Sequence, residues 1–162
     1  MRMPWYPWSL RHLLDGRPTV GGLMDLCDEN YRYFMKLAPG LRLLRGRCLS
    51  RAGDSVGLYL EILEQTPYTT LVRLTYYFDH AGERRPDPDA RLRIYHDARQ
   101  VEVLDLRQRS LPLDKDIHSL SLKQKWDANL FLSKWLAYCV RQGHLFSGAP
   151  GNAQGRLMPA EV

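Results

Sequence analysis

His96 beside Asp97 is the pairing in this 162-residue chain that looks most like chemical machinery. An imidazole next to a carboxylate can be half of a metal-ligand set, or a general base with its orienting acid. Either use requires both side chains to aim at one atom. The pair lies between two alternating runs in LRIYHDARQVEVL, residues 92–104. Successive side chains of an extended chain face opposite ways, so His96 shares the face of Leu92 and Ile94 while Asp97 turns away from it. Asp at the first position of a four-residue turn, Asp97-Ala98-Arg99-Gln100, bonds its own backbone. The pair therefore reads as a hairpin tip, with a partly buried histidine at the rim of a core.

Other chemistries fare no better. His12, His80, His118 and His144 have no ligand spacing, and the three cysteines, Cys27, Cys48 and Cys139, form no C-x-x-C pair, which argues against zinc and against a disulfide framework. Cys27 and Cys139 fall on apolar helix faces, where a thiol is usually inert packing. No G-x-S-x-G, G-x-G-x-x-G or G-x-x-x-x-G-K-[ST] is present, so the known nucleophile-elbow and phosphate-loop classes are excluded. Asp114 and Asp116 flank Lys115 as a solvated charge pattern. No cofactor is expected. Lys125 and Asn129, four apart on one side of a helix, either satisfy a strand end by buried hydrogen bonding, the preferred role, or line a cleft beside His96. An enzyme or small-ligand sensor at His96, Lys125 and Asn129 is the second alternative.

The elements that position these residues follow from periodicity. The stretch 19–37 carries Leu23, Leu26, Cys27, Phe34 and Leu37 along one helix face and ends at Pro39-Gly40. Leu58, Leu60 and Ile62 alternate in one strand, and Thr70, Val72, Leu74 and Tyr76 in the next; 91–96 and 100–104 supply two more, and 43–50 a fifth. The polar segment 79–90, with Gly82, Pro86 and Pro88, is expected as a mobile loop. Ser121-Leu-Lys-Gln124 is a capping box before a helix over 122–142, which Gly143 ends. The reading is a single α+β domain over 19–143: an N-terminal helix, an antiparallel four- to five-stranded meander and a long C-terminal helix packed on one sheet face. An irregular aromatic and proline-rich arm, 1–18, and a disordered tail, 144–162, flank it.

YTTLV at 68–72, LRIYHDARQVEV at 92–103 and the pattern K-x-x-x-N-x-F-L-x-x-W-L-x-Y-C-x-x-x-G over 125–143 together resemble the YqiB-like family, small uncharacterised proteins of Gram-negative bacteria. Its first-helix pattern, C-x-x-N-[FY], falls here on Cys27, Asn30 and Tyr31. The resemblance covers residues 23–143 and implies lineage rather than an activity.

The chain is 44% hydrophobic and 25% charged, with net charge +5 from 23 Lys and Arg against 18 Asp and Glu. No apolar run suits a membrane span and no continuous apolar stretch suits a secretory leader, so a cytoplasmic location is expected. Arg42, Arg45, Arg47 and Arg51 form a basic cluster without acids. If the apolar strand residues face the helices, the other sheet face presents Tyr59, Glu61, Arg73, Tyr77, Arg91, Arg93, Tyr95 and Glu102. Tyr and Arg are enriched in protein-binding hot spots, so a non-catalytic protein-binding or adaptor module using Tyr59, Arg73, Tyr77, Arg91, Arg93 and Tyr95 is the preferred reading. RNA binding through the same face and the Arg42–Arg51 cluster is the alternative. Membrane contact through Trp5, Tyr6 and Trp8 is not expected, because prolines break the arm.

Overall fold

The computed structural model describes residues 18–52, 57–80, 82–107 and 121–147. The arm, the 108–120 connection and the chain beyond 147 lie outside them.

Helix α1, Val20–Leu37, starts where Thr19 Oγ1 accepts the Gly22 N–H at 3.0 Å, a side-chain cap that offsets the weak Gly21-Gly22 turn. A 3-10 turn, Leu41–Leu43, follows. Strand β1 is then only Arg47–Ser50, shorter than the expected 43–50. Gly46, at φ 66°, turns the chain into it through a conformation that favours glycine. Strands β2 (Leu58–Gln65), β3 (Thr69–His80), β4 (Glu83–Tyr95) and β5 (Gln100–Arg107) complete a five-stranded antiparallel meander in sequential order. Helix α2, Leu122–Gln142, opens with the predicted reciprocal Ser121–Gln124 capping box and closes at Gly143 with φ 88°.

The expected mobile loop at 79–90 is instead the far end of a β3–β4 hairpin that turns at Gly82, φ 82°. Proline removes a donor, which a strand tolerates only where one side has no neighbour. Among the described residues, pairing of β4 with β5 begins at Asp89, so no β5 partner faces Pro86 or Pro88 there.

Both helices cover one face of the sheet. Two rows cross beneath them, Leu60–Leu74–Ala90–Leu106 and Ile62–Val72–Leu92–Val103, and they pack with Phe34 and Leu37 of α1 and Leu132 and Leu136 of α2. Each large side chain fully buried there contributes about 1.5–3 kcal/mol.

The core does not end at Gly143. His144 and Phe146, in the segment expected to begin a disordered tail, are buried. The Phe146 N–H donates to Leu37 O at 2.7 Å, and the Leu145 N–H to Ser50 Oγ at 3.0 Å. The small and polar residues that follow Phe146, Ser147-Gly148-Ala149-Pro150-Gly151-Asn152, hide a core piece from composition-based reading.

His144 gives this packing a pH dependence. Its Nδ1 lies 3.0 Å from Ser50 Oγ, its Nε2 has no hydrogen-bond partner among the described residues, and burial lowers its pKa below 6.5. Partly buried His96 is lowered as well, by burial and then by Arg42. A histidine harder to protonate in the fold than in the open chain makes the unfolded state bind more protons just below pH 6.5. The stabilisation is complete above that pH and is lost as pH falls towards the lowered values. Urea midpoints measured at pH 7.5, 6.5 and 5.5 should therefore fall with acidification, and His144→Gln should flatten the fall. A parent chain with equal midpoints at all three would refute this.

Candidate functional site

Across the face away from the helices, strand register sets Arg47, Glu61, Arg73, Arg91 and Asp105 in one row, and Leu49, Tyr59, Thr75, Asp89 and Arg107 in the next. All eight residues assigned to this face by alternation are carried on it. Arg73 donates Nε and Nη2 to the two Asp89 oxygens at 2.8 and 2.7 Å, and the Thr75 hydroxyl donates to the same carboxylate at 3.0 Å. That bidentate pairing holds Arg73 charged, well above its ordinary pKa. Arg47 pairs with Glu61 at 3.3 Å, and the Tyr95 hydroxyl donates to Glu102 at 2.6 Å. Burial and then the Glu102 bond push the Tyr95 pKa up.

Tyr59 is on the predicted face but is not exposed: only 4% of it reaches solvent. Tyr77 meets its ring edge-on at 5.0 Å, the Arg47 guanidinium lies 6.0 Å from its centroid, and Gly57 closes beside it. A Cβ on Gly57 would come within 2.8 Å of Leu49 Cδ1 and 3.5 Å of Tyr59 Cε2. The depression lined by Arg47, Tyr59, Glu61, Arg73, Thr75 and Tyr77 is small and shallow. What this face offers a partner is Arg91, which is exposed, with the half-buried Arg73, Tyr77, Arg93 and Tyr95.

His96 is built into one end of the sheet. Its N–H donates to Tyr68 O at 2.9 Å, and its Nε2 lies 2.7 Å from Thr70 Oγ1. The Thr70 hydroxyl donates to Gln65 Oε1 at 2.7 Å, and Gln65 Nε2 donates to Leu41 O at 2.9 Å. The single Thr70 proton is thus spent on Gln65, so His96 carries its proton on Nε2 and donates it to Thr70. Asp97 accepts the Ala98 N–H at 2.9 Å in a turn that Arg99 closes at φ 55°. The hairpin-tip reading holds.

Asn129 bonds elsewhere. Its Oδ1 accepts the Val103 N–H at 3.1 Å, beside a register shift in β5, and lies 3.5 Å from Asn30 Nδ2 and 3.9 Å from Cys27 Sγ. Its Nδ2 donates to Lys125 O at 2.8 Å. The bonds of His96 go to the hairpin end and those of Asn129 to the middle of β5, each inside the fold. Burial pushes the Cys27 and Cys139 thiols up to about 12, so both stay protonated and unreactive near neutrality.

Residues that alternation missed lie at the hairpin end: Leu43, Leu63 and Tyr68 are 80%, 41% and 67% exposed. Leu63 is the extra residue where β2 shifts register between Ile62 and Glu64. The one trace of it in the sequence is the consecutive Ile62-Leu63, which breaks the alternation.

Comparison with known proteins gives lineage. The family model described as "Protein of unknown function (DUF1249)" matches residues 33–145. "Uncharacterized protein YqiB" of Escherichia coli is 30% identical over 132 residues, covering 78% of this chain and 91% of the relative, with the same figures in two further strains. No solved structure matches. Among the described residues no helix is long and apolar enough to cross a membrane.

Proposed function

The chain belongs to the DUF1249 family of proteins of unknown function, and from that premise we propose that it is a non-catalytic cytoplasmic protein-binding module working through its outer sheet face. The observation that carries the reading is charge balance. Arg47, Arg73, Arg91, Arg93 and Arg107 stand among Glu61, Glu64, Asp89, Glu102 and Asp105 on that face. Nucleic-acid affinity comes mainly from neutralising phosphates, which needs uncompensated positive charge. A neutral, patterned surface with oriented Tyr and Arg side chains suits another protein, where complementary charges set register and aromatics supply anchoring area.

The basic cluster does not extend the face into a charged track. Arg47 is paired with Glu61, and Arg45 Nη1 donates to Arg42 O and Leu44 O within its own turn. The ligand-cleft reading gains nothing either, since His96 and Asn129 are each engaged by internal partners. Three buried free cysteines suit a reducing compartment.

The test is a tagged pull-down of the full chain from native bacterial lysate, with and without nuclease, against an Arg93→Ala/Tyr95→Ala double variant. A specific protein should survive nuclease and be lost with the double variant. Enrichment that vanishes with nuclease would replace this reading with nucleic-acid binding, and a partner indifferent to the variant would place the contact on another face.

A further inference from the structure

We propose that the hairpin end of the sheet is a second docking surface, which takes an acidic segment of another protein that also carries an aliphatic side chain. This goes beyond the outer-face reading and uses other residues; an adaptor needs two such surfaces.

Three pieces of chain meet at this end: the turn at Leu41–Leu43, the β2–β3 hairpin tip and the β4–β5 turn. The hydrogen-bond chain Leu41 O, Gln65, Thr70, His96 links all three, and the backbone N–H of His96 on Tyr68 O adds a second bond between the two hairpins. The tip carrying Pro67-Tyr68 is itself tied: the Thr66 N–H donates to Thr69 O at 2.8 Å, and the Thr69 N–H to Thr66 Oγ1 at 3.0 Å. On the other side the Ile62 N–H donates to Gly46 O at 2.8 Å, which holds the first turn against the β2 shift that exposes Leu63. Binding groups held in place before contact lose little freedom on association. A set of bonds that rigidifies one end while leaving Leu43, Leu63 and Tyr68 in water favours contact there over a merely solvated turn.

Charge selects the occupant. Arg42, Arg45 and Arg99 are exposed at this end and none of them forms an ion pair among the described residues, in contrast to Arg47 and Arg73 on the outer face. Uncompensated guanidiniums beside aliphatic surface are complementary to carboxylates that flank a leucine-like side chain. A second copy of this end would set arginine against arginine. Arg42, Arg45 and Arg99 outnumber the exposed carboxylates here, Glu64 and Asp97, and a nucleic acid would find one ring to stack on, Tyr68, beside two aliphatic side chains that cannot stack.

The test is a titration of the isotope-labelled full chain, followed by amide chemical shifts, with the end-blocked peptide Asp-Leu-Glu-Asp-Leu-Glu. Shifts should concentrate at residues 42–46, 63–69 and 96–99, and Arg42→Glu or Tyr68→Ser should weaken binding about tenfold. Both side chains are exposed, so both variants should keep the parent spectrum elsewhere. Arg91→Ala, on the outer face, should leave the titration unchanged, so this surface and the outer face can fail separately. Scattered or absent shifts, equal binding of Lys-Leu-Lys-Lys-Leu-Lys, or tighter binding of a single-stranded oligothymidylate would each overturn the proposal.

Discussion

Replacing Phe146 with alanine should cost the fold about 3–5 kcal/mol, the usual penalty for deleting a buried aromatic ring and leaving a cavity behind. The ring is fully buried in the main core cluster, and its backbone is bonded to the last residue of α1. Removing it strips one wall from the junction between Leu37, β1 and the end of α2. For a domain of this size the melting midpoint should fall by on the order of 10 °C. A chain ended after Gly143 should lose at least as much, because it also removes His144 and the Leu145 N–H bond to Ser50. Leu145→Ala, at a side chain 37% exposed, is the control and should move the midpoint little. Equal midpoints for the parent and Phe146→Ala, measured by thermal or urea unfolding, would show that 144–147 is not part of the folded unit.

That boundary marks where sequence reasoning stops. Signals that depend on a residue's own neighbours came through: the Ser121–Gln124 box, the Gly143 cap and the inward parity of Leu58, Leu60, Val72, Leu74, Leu92 and Ile94. Parity also put Tyr59 and Arg73 on the correct face, because alternation is a property of the extended backbone. It did not say that Tyr59 would be covered, since that depends on Arg47, Leu49 and Tyr77, which other strands bring against it. A register shift resets alternation by one residue, which is how Leu63 reached solvent, whereas Tyr76 packs beside Trp135 on the side where alternation put it. Pro86 and Pro88 read as loop because their place in a strand depends on which neighbours pair with them, and among the described residues β5 pairs β4 only from Asp89 on. The texts at 68–72 and 92–103 stood out together, and they meet in the β3–β4 register and in the bonds of Tyr68 and Thr70 to His96.

Asn129 is where a structural and a ligand-binding role separate by measurement. Its Oδ1 accepts the Val103 N–H of β5 beside the register shift, and it receives the Asn30 side chain from α1. Asn129→Leu would strand the Val103 N–H away from water, at about 1–3 kcal/mol for a buried group left unsatisfied, and would take one of two acceptors from the Asn30 amide. The loss should be coupled to Asn30: without the Asn129 side chain the Asn30 amide keeps only the backbone carbonyl of residue 129, at 3.4 Å, so Asn30→Leu should cost less in that background than in the parent. A double-mutant cycle would show this as an interaction energy of about 0.5–3 kcal/mol, the range for residues in one network. The Val103 amide should exchange with solvent faster in Asn129→Leu, while amides at the β2–β3 hairpin tip keep their protection. A variant as stable as the parent, with Val103 equally protected, would mean that Asn129 does not hold the α1–β5–α2 junction, and would free its side chain for a ligand. The Cys27 thiol, 3.9 Å from the same oxygen, then becomes informative: a variant that opens this knot should let a thiol reagent reach Cys27 sooner, whereas loss of a ligand contact alone would leave it as buried as before.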